Sequence, residues 1–182
     1  MGPALELTSV PPWTVTPTVP PADVSGRDWA IVAFGDEAEP VVAAWTEQLA
    51  AAHPDRSPRV YRPADPEAAA TVLADEVAGA VVGWRLMLAG PATACLRLRA
   101  RALAAGVADD EITVASTDVA TRDVQCVHCR TVTTAAVAIE DTVECAGCGR
   151  NLLVYYHVSR LQGAHLGFMV DAERLPEEVA AR

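Results

Sequence analysis

Cys126-Val127-His128-Cys129 and Cys145-Ala146-Gly147-Cys148 are two CxxC pairs separated by residues 130–144 of a 182-residue chain. Each CxxC turn aims two thiolates at one point, and a segment of this length folds back so that the two turns meet. Four thiolates arranged in this way complete a tetrahedron around a metal ion. Gly149, directly after the second pair, lets the backbone turn back past the metal. The flanking pieces, Thr131 to Ala138 and Leu152 to Val158, alternate and are rich in β-formers. The spacing therefore predicts a β-rich zinc ribbon held by Cys126, Cys129, Cys145 and Cys148. With all four positions filled by protein, such a site is closed and structural.

Other chemistries of paired cysteines fit less well. A redox dithiol usually has a single CxxC beside a βαβ unit. A c-type haem needs histidine after the second cysteine, where this chain has Arg130 and Gly149. A rubredoxin-like iron site is the nearest rival, because tetrahedral thiolates suit iron as well as zinc. Its knuckles resemble CxxCG twice, with proline after the third cysteine. Here Arg130 follows the first knuckle and Ala146 follows Cys145. Zinc is the expected metal, and iron stays open. His128 lies inside a knuckle and is not needed as a ligand. Cys95 borders the apolar stripe of a helix and reads as a small core residue. His53 ends a helix and reads as solvated.

Upstream, the pattern changes to strands alternating with helices. Trp29-Ala30-Ile31-Val32-Ala33-Phe34 is an apolar run ending at Gly35, which suits a buried strand. Pro40 to Ala52 reads as a helix, then Arg59 to Arg62 as a strand. Pro66 to Val77 reads as a helix capped by Asp65. Ala80 to Leu88 reads as a strand bent at Gly83, Pro91 to Ala105 as a helix stopped by Gly106, and Glu111 to Ala115 as a fourth strand. This order implies an α/β fold: a small parallel sheet with flanking helices, Rossmann-like but shortened, followed by the β-rich zinc ribbon. The expected divisions are a proline-rich arm at 1–27, the α/β domain at 28–116, a linker at 117–124, the ribbon at 125–175 and a tail at 176–182. Pro3, Pro11, Pro12, Pro17, Pro20 and Pro21 forbid a regular helix or central strand in the arm. Trp13 and Val15 are its candidate anchors.

Charge and composition exclude several classes. The chain carries a formal charge of −10, with 24 acids against 14 bases, all of them arginine. Nucleic acid and anionic membrane are poor partners for such a chain. No secretory signal pattern and no apolar run of about 18 residues is present, so a cytoplasmic protein is expected. Paired cysteines there bind metal more often than they form disulfides. No catalytic motif of the familiar kinds occurs. Tyr155, Tyr156, His157, Ser159, Arg160 and His165 form a polar-aromatic cluster that reads as an interface rather than an acid–base site. The expectation is therefore no catalytic residue in this chain.

The loop Ala33 to Pro40, with Ala89-Gly90-Pro91 ending the third strand, resembles the pyridine-nucleotide module of ferredoxin reductases. Such modules carry a GGxGxTP loop and a later Cys-Gly-Pro. Only Gly35 and Pro40 match the loop, and Ala89 replaces the cysteine. Asp36, Glu37 and Glu39 would meet phosphate with like charge. The expectation is a domain of that shape with no cofactor-binding residues.

A second resemblance covers Cys126 to Glu173. Cys-x-x-Cys-Arg-Thr-Val-Thr is followed by Cys-x-Gly-Cys-Gly-Arg, then Leu-Leu-Val-Tyr-Tyr-His-Val-Ser-Arg and Leu-Gly-Phe-Met-Val-Asp. This stretch resembles the C-terminal domain of the DmmA-like subunit of bacterial dimethylamine monooxygenase. The resemblance implies a non-catalytic subunit of a multicomponent enzyme that converts dimethylamine to methylamine and formaldehyde with NADPH and oxygen. It further implies partner subunits that carry the cofactors: a haem-bearing oxygenase, and a reductase with FMN and an iron–sulfur cluster. The four cysteines carry over as metal ligands. The other readings are a stand-alone zinc-ribbon adaptor and an NAD(P)-binding redox subunit. Residues 152–170 and the proline-rich arm are expected to dock on the redox partners, with Gly163 and Gly167 admitting a partner's backbone.

Overall fold

A computed structural model describes residues 4–170. The chain divides into two compact units. One comprises Pro11–Val119 with Arg160–Gly163. The other comprises the described parts of Met1–Val10, Ala120–Ser159 and Ala164–Arg182.

In the first unit, strands β1 (Asp28–Ala33), β2 (Arg59–Tyr61), β3 (Trp84–Gly90) and β4 (Ile112–Ser116) alternate with helices α1 (Glu39–Ala52), α2 (Pro66–Ala78) and α3 (Ala92–Ala104). All pairings are parallel, in the order β2-β1-β3-β4. Successive side chains of a strand face opposite ways. Trp29, Ile31 and Ala33 accordingly pack with Val41, Val42, Trp45 and Leu49 of α1. Ala30, Val32 and Phe34 pack with Leu73 of α2 and Cys95, Leu98 and Ala102 of α3. Both faces of β1 are covered, which is why the run Trp29 to Ala33 is apolar throughout. Asp65 caps α2 as the sequence implies, its Oδ1 accepting from the Ala68 N–H at 2.7 Å.

Three local readings change. The third strand begins at Trp84, not Ala80. Gly83 takes φ 95°, and Val82 ahead of it is 92% exposed, so residues 81–82 form an apolar turn outside the sheet. His53 is not simply solvated: its Nε2 lies 2.8 Å from the Val24 carbonyl oxygen and its ring rests on Trp29. Residues 121–124, expected within a linker, begin a strand.

The proline-rich residues 11–27 follow the α/β body. Thr18 and Ser116 exchange backbone hydrogen bonds of 3.2 and 2.9 Å, which pairs the arm with the free edge of β4. Trp13 packs against the core beside α3. The indole N–H groups of Trp45 and Trp29 donate to the Pro20 and Asp23 carbonyls, at 2.9 and 2.7 Å. A proline-rich chain cannot use its own N–H groups for a ladder, so its carbonyls take donors from the body.

The second unit is a five-stranded sheet of β5 (Thr121–Cys126), β6 (Val132–Ala136), β7 (Thr142–Glu144), β8 (Asn151–Ser159) and β9 (Ala164–Met169). Its order is β6-β5-β9-β8-β7, antiparallel except where β5 pairs with β9. Val124, Leu152 and Val154 form its small core with the cysteines. The strand pairing of β8 with β9 is irregular between Val154 and Val158.

Candidate metal centre

Cys126 closes β5, and Cys145 directly follows β7. The two knuckles repeat one hydrogen-bond pattern. The Arg130 N–H donates to the Cys126 carbonyl at 2.8 Å, and the Cys126 N–H to the Thr131 carbonyl at 2.9 Å. In the second knuckle Gly149 N–H donates to Cys145 and Cys145 N–H to Arg150, both at 2.9 Å. These bonds hold each pair of thiols on one side of its turn.

The four sulfur atoms all lie within 4.8 Å of one another. Cys126 Sγ is 3.8 Å from Cys148 Sγ, and Cys129 Sγ is 3.5 Å from Cys145 Sγ. Zinc–thiolate bonds of about 2.3 Å in a tetrahedron place sulfurs about 3.8 Å apart. The donor set therefore fits a tetrahedral thiolate-binding metal, and the separations far exceed a disulfide bond. Cys126 and Cys145 are buried, while Cys129 and Cys148 are half-exposed.

The site's environment divides the thiols. Burial pushes the Cys126 thiol up to about 11. Hydrogen bonds from the Thr131 side chain and backbone bring Cys129 down to about 6. The Arg150 backbone N–H lowers Cys148. Cys129 is thus the thiol readiest to ionise and Cys148 is shifted in the same direction, while a bound cation would favour the ionised form of the buried Cys126.

Gly147 and Thr131 fit closely across the site. A Cβ on Gly147 would stand 2.2 Å from Thr131 Oγ1 and 2.8 Å from its Cβ. Cysteine spacing does not reveal this contact, because it depends on how the two knuckles face each other. His128 stands outside the thiol cluster, and its Nδ1 lies 3.2 Å from an Arg150 guanidinium nitrogen.

The polar-aromatic cluster separates into two environments. Tyr155 and Phe168 stack edge-on, with centroids 5.3 Å apart, and are 49% and 42% exposed. His157 is exposed as well. His165 instead is 1% exposed, and burial followed by the nearby Arg122 charge drives its imidazole down to about 4. A neutral, enclosed imidazole of this kind presents no acid–base group to solvent. The glycines expected to admit a partner are used inside the chain. Gly167 faces Val124 and Leu152, and a Cβ on Gly163 would stand 2.4 Å from the Leu96 carbonyl oxygen.

At the reversal point of the parallel sheet, the ends of β1 and β3 close on each other. A Cβ on Gly90 would lie 2.8 Å from the Phe34 Cβ, and the Ala92 N–H opening α3 donates to the Asp118 carbonyl at 2.8 Å. Asp36 and Glu37 are exposed. Glu39 turns away to Arg62, with a 2.6 Å ion pair.

Fold and site define a class: an α/β unit accompanied by a β-sheet unit with a four-thiol metal-binding cluster. Residues 123–168 match the family described as the dimethylamine monooxygenase subunit DmmA-like C-terminal domain. Over 103 residues the chain is 42% identical to the heme-dependent oxidative N-demethylase delta subunit of Ectopseudomonas mendocina (strain ymp), an alignment covering 57% of this chain. The chain spans 58% of that relative's length. No solved structure matches. Among the described residues no helix is long and apolar enough to cross a membrane.

Proposed function

We propose that this chain is a non-catalytic subunit of a multicomponent oxidative N-demethylase, with dimethylamine as substrate and NADPH and oxygen as co-substrates. The reading rests chiefly on the coincidence of two findings: residues 123–168 match the DmmA-like C-terminal domain, and the same residues contain the clustered thiols. Its relative is named as one subunit of a heme-dependent demethylase. On this reading Cys126, Cys129, Cys145 and Cys148 hold a structural zinc ion. Haem, FMN and the iron–sulfur cluster belong to the oxygenase and reductase partners, and the complex is cytoplasmic.

The α/β unit then acts as scaffold rather than as an NADPH site. Carboxylates at Asp36 and Glu37, the closed Phe34–Gly90 contact and the α3 N–H already bonded to Asp118 all oppose phosphate binding at the usual place. Affinity purification of the tagged chain from its native host tests the assignment. Flavin- and haem-bearing chains should co-purify, and dimethylamine-dependent NADPH oxidation should follow them. Recovery of the chain without either cofactor-bearing chain would refute it.

A further inference from the structure

The two knuckles come from opposite sides of the strand order. The first joins β5 to the edge strand β6, and the second follows β7, the other edge. Ala146 and Gly147 fill the turn between the second pair of cysteines. Both are met by threonines of the β6 segment. Thr133 Oγ1 accepts from the Ala146 N–H at 3.0 Å. Thr131 stands so close to Gly147 that a Cβ there would lie 3.2 Å from the Thr131 methyl carbon, besides its nearer clash with the hydroxyl. The same hydroxyl donates to the Cys129 sulfur. Residues two apart on a strand share a face. Thr131 and Thr133 share the face of Cys126 and Val124, the residues opposite them on β5.

The second knuckle needs such support more than the first. Its strand β7 has three residues and, among the described residues, pairs with β8 alone. From these contacts we infer that Thr131 and Thr133 are positioning residues for the metal, clasping the second knuckle onto the first so that all four thiols keep one centre. The inference rests on the metal assignment made above. Thr133 fixes the turn through a hydrogen bond to its backbone, and Thr131 fixes its distance, because glycine at 147 lets the threonine side chain meet the turn directly. Groups that orient ligands without binding the metal typically change its affinity by about 10- to 100-fold.

The full chain loaded with zinc, and in parallel with cobalt(II), tests this. The visible bands of cobalt report the geometry of its thiolate shell. Thr133→Val keeps the branched shape and removes the acceptor. It should lower zinc affinity about 10- to 100-fold in chelator competition and shift the cobalt bands. Thr133→Ser restores the hydroxyl and should restore both. Thr134→Val is the control: it removes the 2.6 Å bond to Asp123 from the same strand, so it should lower stability and leave the cobalt bands unchanged. The wild-type chain gives a reading that needs no variant, since the Ala146 amide of the zinc-loaded protein should exchange slowly with solvent. Exchange of that amide at the rate of an open loop, or wild-type affinity and cobalt bands in Thr133→Val, would overturn the clasp while leaving the metal assignment standing. A wild-type chain that binds neither metal would overturn both.

Discussion

Arg130 and Gly149 occupy equivalent places in the two knuckles, and both adopt left-handed backbone, with φ of 65° and 68°. Each directly follows the second cysteine of its pair and returns its N–H to the first cysteine's carbonyl. Glycine takes this conformation freely, whereas a residue with a Cβ is strained by about 1–2 kcal/mol.

Two substitutions follow from that asymmetry. Gly149→Ala should lower the stability of the metal-loaded second unit by about 1 kcal/mol. Arg130→Gly should raise it by about 0.5 kcal/mol, after allowance for the entropy of an added glycine. Denaturant unfolding of the two variants, both keeping full metal content, reads the difference directly. Equal responses to Ala and Gly at the two positions would contradict the strain argument.

Gly147→Ala should weaken metal binding by about 10- to 100-fold, the usual consequence of disturbing groups that support the ligands. The new methyl would collide with Thr131, which also hydrogen-bonds Cys129. Zinc competition against a chromophoric chelator measures this. An unchanged affinity would mean that the knuckles separate without cost.

Removing one ligand has a larger effect. Structural zinc contributes on the order of 10 kcal/mol of apparent folding free energy in small domains. Cys145→Ser should therefore release the metal and abolish hydrogen-exchange protection in β5 to β9, while β1 to β4 keep theirs. Native protection throughout a metal-free variant would show that the small Val124–Leu152–Val154 core suffices alone.

Acid stability should depend on Glu76. Its carboxylate accepts from Arg59 at 2.7 Å, from Tyr61 and from the Trp84 indole at 3.1 Å. The Arg59 hydrogen bonds, chiefly, hold it down to about 2 from an ordinary 4.5. A depressed folded-state value contributes stability above the unfolded value, and that contribution disappears as pH falls from about 4.5 to about 2. Glu76→Gln should cost on the order of 2 kcal/mol at neutral pH. The gap from wild type should shrink as the pH approaches 2. A constant gap across that range would assign the loss to packing.

The exposed Tyr155–Phe168 pair bears on assembly. Tyrosine offers large contact area with a polar tip, and such residues often dominate interfaces. Tyr155→Ala with His157→Ala should weaken co-purification of the complex by roughly 2 kcal/mol or more while leaving metal content intact. Loss of metal, or undiminished capture, would show that these side chains serve the fold or face solvent.

Cysteine spacing sufficed to bring Cys126, Cys129, Cys145 and Cys148 together, because a CxxC turn is local and its thiolates need only one partner turn. The apolar run Trp29 to Phe34 likewise announced a strand buried on both faces. Other features were decided by tertiary structure. Thr121 to Val124 looks like the end of a linker because Arg122 and Asp123 interrupt any apolar pattern. It becomes strand since Thr134 hydroxyl donates to Asp123 at 2.6 Å and Arg122 donates to the Val137 carbonyl, both on residues following the first knuckle. The arm's course depends on distant indole donors, Trp45 and Trp29, that no proline pattern specifies. Arg130 is left-handed although glycine would suit the position better, because the knuckle's closure fixes φ whatever residue stands there. Local chemistry chose the clustered cysteines and the apolar strands; contacts between residues far apart in sequence chose their neighbours, since burial of a polar group is favourable only where the folded chain supplies its partner.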